Sequence, residues 1–111
     1  MSGKRGRRLP HTTLIEPATR ADKALRAVGL VPYPGIIDPR GGSRGGARAI
    51  VVVEAGRVRV TVSGAGVQEL LIYGPVPADT VLTALRSEFG EGKVSLRDPA
   101  KLWADRTDQE A

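Results

Sequence analysis

Apolar residues recur along this chain in two periods, and the change from one period to the other marks its elements. Ala18, Ala21, Ala24, Leu25 and Val28 stand three and four residues apart, the spacing of one helix face. Pro17 suits the first turn of that helix and Gly29 its stop. Before it, His11 to Ile15 (HTTLI) is a short β-prone stretch. Val31 to Asp38 holds two prolines and a glycine, and reads as a turn into a short strand, Gly35–Asp38. Further on, the period changes to two. Ala49 to Glu54 (AIVVVE) is a continuous apolar run, expected as a strand covered on both faces. Arg57 to Val62 (RVRVTV) alternates strictly, with Val58, Val60 and Val62 inward and Arg57, Arg59 and Thr61 outward. Ser63-Gly64-Ala65-Gly66 turns the chain into a third strand, Val67 to Tyr73. The helical period then returns in Val81, Leu82, Leu85 and Phe89. Pro77 and Asp79 mark the start of that helix and Gly90 its end. Lys93 to Leu96 is a last strand.

The order β-α-β-β-β-β-α-β predicts a single small α+β domain. It has a mostly antiparallel sheet of four to six strands, with two helices packed on one face. The other sheet face is expected to be open, polar and basic. The domain spans 11–97, between a basic arm at 1–10 and a C-terminal tail at 98–111, where Trp103 sits in a helical turn.

Composition narrows the chemistry. The 111 residues contain no Cys and one His, which removes disulfides, thiolate metal sites, haem-type ligand pairs and cysteine nucleophiles. No dinucleotide fingerprint, P-loop or serine elbow is present. No apolar run approaches the ~20 residues of a membrane span, so a cytoplasmic protein without membrane contact is expected. Residues 1–48 carry ten basic and three acidic side chains, a net of +7, within a chain whose total is +5. Such asymmetry points to a polyanionic partner.

The cations fall in four groups. Lys4, Arg5, Arg7 and Arg8 lie in the arm. Arg20, Lys23 and Arg26 lie on the helix face opposite its apolar stripe. Arg40, Arg44 and Arg48 punctuate a loop at 39–48 holding two Arg-Gly-Gly triplets, and Arg57 and Arg59 face outward from a strand. Guanidinium groups grip phosphates bidentately and stack on bases, and glycine lets a backbone come close. RVRVTV offers no aromatic to stack on, so recognition of structured RNA or ribosomal RNA by shape and backbone is the expected function, without catalysis. Across the sheet, Glu69 is expected to pair with Arg57 or Arg59. His11 is the one imidazole; beside Thr12 and Thr13 it reads as a hydrogen-bonded structural residue. A metal there would need Glu16, Asp38 or Glu69, and spacing selects none of them. A third reading is an assembly subunit that takes a protein partner through the open sheet face or Trp103.

The segments His11-Thr12-Thr13, Pro34-Gly35-Ile36-Ile37, Arg57–Val62 and Gly66–Ile72 resemble, in order and spacing, a small prokaryotic family. It is known as domain of unknown function 2103 and labelled predicted metal-binding protein. The resemblance covers about residues 11–89. It implies a bound metal ion, with His11 as ligand and Glu69 as an oxygen donor.

Overall fold

A computed structural model of the chain describes residues 14–97. The elements run α1 (Glu16–Ala27), β1 (Tyr33–Gly42), β2 (Arg48–Glu54), β3 (Arg57–Tyr73), α2 (Ala78–Phe89), a 3-10 turn (Glu91–Lys93) and β4 (Val94–Arg97). The 17 residues of β3, if straight, would span about 56 Å at ~3.3 Å per residue. Yet the Gly74 N–H donates to Gly56 O at 2.9 Å, and Arg59 reaches Glu69 at 3.4 Å. β3 is therefore a hairpin with arms 57–62 and 67–73, reversing through Ser63–Gly66 as the glycines there predict. Counted by arms, the sheet has five strands. Its order is β1, arm 67–73, arm 57–62, β2, β4. Only the β2–β4 ladder is parallel.

Side-chain parity separates the two faces. Val58, Val60, Val62, Gln68, Leu70 and Ile72 are buried on one side, with Ala49 and Val51 of β2 and Val94 of β4 in register beside them. Both helices lie on this side. Ala21 and Leu25 of α1, and Val81, Leu82, Ala84 and Leu85 of α2, complete the core. Each fully buried Val, Leu or Ile there contributes about 1.5–3 kcal/mol. α1 ends in a Schellman turn: the Leu30 N–H donates to Leu25 O and the Gly29 N–H to Arg26 O, with Gly29 at φ +87°. Its start is anchored across the layer, where the Ile15 N–H donates to Gln68 Oε1 at 2.9 Å. Gln68 is fully buried.

Four expectations need correction. Leu14 and Ile15 are not a strand: they lead into α1, with Ile15 at its N-cap, while His11–Thr13 lie outside the described residues. β1 is longer than Gly35–Asp38. It keeps Pro34 and Pro39 because it is an edge strand, with irregular register between Pro34 and Ile37 and again between Asp38 and Gly42. Consequently the glycine-rich stretch is not a loop throughout; only residues 43–47 leave the ladder. Finally, β2 is covered by helices on one face only, the face of Ala49 and Val51. Val52 is nevertheless buried on the side without helices. Arg59 and Arg97 flank it in register on that face, the position from which long aliphatic stems cover a neighbour.

Candidate nucleic-acid interface

Of the predicted cations, Lys4, Arg5, Arg7 and Arg8 lie outside the described residues, as do His11 and Trp103. The remaining eight divide by what their side chains meet. On α1, Arg20 Nε donates to Glu88 Oε2 at 2.9 Å, and the guanidinium lies 4.8 Å from the Phe89 ring centre. Arg26 pairs with Asp22 one turn earlier at 3.0 Å. Lys23 has no ion pair among the described residues. All three belong to the helical layer, on the far side of the sheet from Arg57 and Arg59, so helix and strand cations do not form one patch. The groove between α1 and α2, about 610 Å³, is lined by Ala24, Ala27 and Val28, with Asp79 and Glu88 its only charged residues among those described. It offers nothing to a polyanion.

The strand arginines are compensated. Arg57 Nε donates to Glu54 Oε1 at 3.0 Å, and Arg59 lies 3.6 Å from Glu54 and 3.4 Å from Glu69. The expected pairing of Glu69 across the sheet is thus present, and Gly35 leaves it room: a Cβ there would stand 3.3 Å from Glu69 Cβ. The guanidinium of Arg57 holds its proton more firmly than usual. Glu54 is the main cause, by hydrogen bond and then by charge; burial works slightly against it and Tyr73 slightly for it. Two arginines against two glutamates leave this part of the open face neutral.

The loop arginines differ. Arg40, Arg44 and Arg48 are exposed, and none has an ion pair among the described residues. The backbone that carries them is fixed. Asp38 accepts from the Arg40 N–H at 3.0 Å, Ser43 Oγ donates to Gly46 O, and the Ser43 N–H donates to Gly64 O at 3.0 Å. The link 43–47 therefore crosses over the tip of the β3 hairpin. Lys93 Nζ donates to Gly45 O and ties the link to the 3-10 turn. A Cβ on Gly45 would lie 3.1 Å from Arg48 Nη2 and 3.8 Å from Lys93 Nζ, which puts the two charges within about 7 Å of each other. Their repulsion is about 0.6 kcal/mol at the dielectric of water, and neither has an ion pair with a carboxylate among the described residues.

Sequence reasoning missed residues on the same open face. Lys93 and Arg97 join Arg48 around a cleft near the hairpin tip. At the other end of the face, Tyr33 and Tyr73 are 53% and 55% exposed, with ring centres 5.8 Å apart. Strand parity was the available signal. Val67, Glu69, Leu71 and Tyr73 alternate with the buried positions, so Tyr73 faces outward, and the register Tyr33↔Leu71 brings Tyr33 to the same side.

The described residues hold no group of three or more His, Cys, Asp or Glu able to take a metal. Glu69 is engaged by Arg59 at 3.4 Å, and His11, the other donor that the family resemblance implies, lies outside the described residues. No helix there is long and apolar enough to cross a membrane. Comparisons with protein-family models, curated proteins and solved structures found no match.

Proposed function

We propose that this protein is a non-enzymatic RNA-binding module whose link 43–47 and open sheet face meet the ligand. The observation that carries the reading is selective compensation. Carboxylates partner the strand arginines and two of the three helix cations, whereas Arg40, Arg44 and Arg48 have none among the described residues. A polyanion is the natural counter-charge for an arginine row held on a fixed backbone. The exposed Tyr33–Tyr73 pair on the same face adds stacking surface for unpaired bases. A structured RNA with a single-stranded loop or end therefore suits the face better than a uniform duplex.

The test is fluorescence anisotropy with a labelled RNA hairpin bearing an unpaired overhang, across about 50–200 mM salt. Each lost phosphate contact lowers the salt slope by about 0.7–0.9, so Arg44→Gln with Arg48→Gln should lower it by roughly 1.4–1.8. Arg26→Gln should leave it unchanged. A slope near zero in the wild type, or an unaltered slope in the double variant, overturns the reading.

A further inference from the structure

We propose that the cleft between the start of β2, the β3 hairpin tip, the 3-10 turn and β4 binds a phosphate monoester as its dianion. The inference rests on the RNA reading only for the source of that phosphate, a strand end. Arg48, Lys93 and Arg97 line the cleft with the hydroxyls of Ser63 and Ser95, over the side chain of Ile50, and no Asp or Glu among the described residues lines it. Register holds the set together. Arg48 stands opposite Ser63, and Ile50 stands between Thr61 and Ser95, so four parts of the fold converge on one concave spot.

The charge decides the ligand class. Three cations with no acid are poorly matched to a phosphodiester, which carries one negative charge. A monoester carries about −1.5 to −2 at neutral pH and three strong acceptor oxygens. The donors suit such a group: two guanidinium forks for paired oxygens, two hydroxyls, and the Lys93 ammonium. Lys93 spends one N–H on Gly45 O, which fixes its position and leaves two for a ligand. The volume, about 250 Å³, is roughly eight waters at about 30 Å³ each. That accommodates a phosphate and the first atoms of the sugar it esterifies.

The experiment is an amide NMR titration of the full chain at constant ionic strength. The probes are inorganic phosphate, a nucleoside 5′-monophosphate and a dinucleoside phosphodiester. Saturable shifts are expected at Ser63, Gly92 and Ser95, with the monoester about tenfold tighter than the diester. That preference should shrink from about pH 7.5 to about pH 5, because the second proton binds near pH 6. Arg97→Gln should weaken the monoester about tenfold and Arg97→Lys much less, both with otherwise native spectra. No saturable shift at these amides, equal affinity for diester and monoester, or no change with pH overturns the proposal. RNA strands with 5′-phosphate or 5′-hydroxyl ends separate the two readings. A phosphate that tightens RNA binding upholds the strand-end source. Mononucleotide binding without any RNA binding upholds the cleft and removes the RNA reading.

Discussion

Gly42 is where the Arg-Gly-Gly stretch serves the fold rather than the ligand, and replacing it with alanine separates the two uses. Its φ is +147°, and a Cβ there would stand 2.2 Å from Gly64 O and 3.1 Å from Gly66 N, both backbone atoms of the hairpin tip. No side-chain rotation relieves that contact, so the link or the tip must move. The backbone conformation alone costs a non-glycine residue about 1–3 kcal/mol. Displacing Gly64 O also removes the acceptor of the Ser43 N–H, worth about 0.5–1.5 kcal/mol. Gly42→Ala should therefore destabilise the domain by about 2–4 kcal/mol. At about 4–8 °C per kcal/mol for a domain of this size, the melting temperature falls by roughly 8–32 °C. Thermal and urea melts followed by circular dichroism measure this, and an unchanged urea slope confirms that the same surface unfolds. Two neighbours calibrate the result. Gly46, at φ +91° with open space around it, should cost only about 1–2 kcal/mol as alanine. Gly45 has ordinary φ, and its nearest atom is the mobile end of Arg48, so Gly45→Ala should stay within about 0.5 kcal/mol of wild type. A Gly42→Ala protein that melts within about 2 °C of wild type would refute the crossing of link and tip.

Two further predictions follow from single contacts. Gln68→Leu keeps the volume but leaves the Ile15 N–H without its acceptor; a loss of about 1–3 kcal/mol is expected, with faster hydrogen exchange at the first turn of α1. Unchanged protection at Ile15 would show that the tie does not anchor the helix. Tyr33→Ala and Tyr73→Ala should each weaken binding of single-stranded RNA by about 1–3 kcal/mol in anisotropy titrations while leaving the salt slope alone. Equal affinity of both variants and wild type would remove the stacking role.

Most of the fold was legible because period is a strong signal. The 3.6 spacing of Ala18, Ala21 and Leu25 and the alternation of RVRVTV each specify a buried face, and the structure buries those residues. The hairpin turn was legible too, since Gly64 and Gly66 interrupt the alternation where the chain reverses. Length of β1 was not. Pro34, Pro39 and four nearby glycines argue locally against a strand, yet an edge position tolerates proline, and the hairpin arm supplies partners for the rest. The double cover expected for AIVVVE failed for a related reason. A run of apolar residues shows only that both faces are shielded from water. On β2, helices shield one face, and on the other Val52 is buried between its register neighbours Arg59 and Arg97.

The candidate interface was legible as composition but not as geometry, because pairing is a property of register. Arg57 and Arg59 count as two positive charges in sequence. In the hairpin they lie beside Glu54 and Glu69, three and ten residues away from them along the chain, and contribute no net charge to their surroundings. Arg97 and Lys93 sit in a half of the chain with a net charge of −2, yet the parallel ladder with β2 carries both to Arg48. The regional sum therefore pointed to a polyanion while misplacing where it would sit. Coulomb energy depends on distance as well as charge: two cations within about 7 Å and without a carboxylate repel, and an anion between them relieves that repulsion. Folding places Arg48 and Lys93 under this constraint, with Arg97 lining the same cleft, and spares Arg20, Arg26, Arg57 and Arg59. A ligand that restores local neutrality should bind the cleft ahead of the basic helix face.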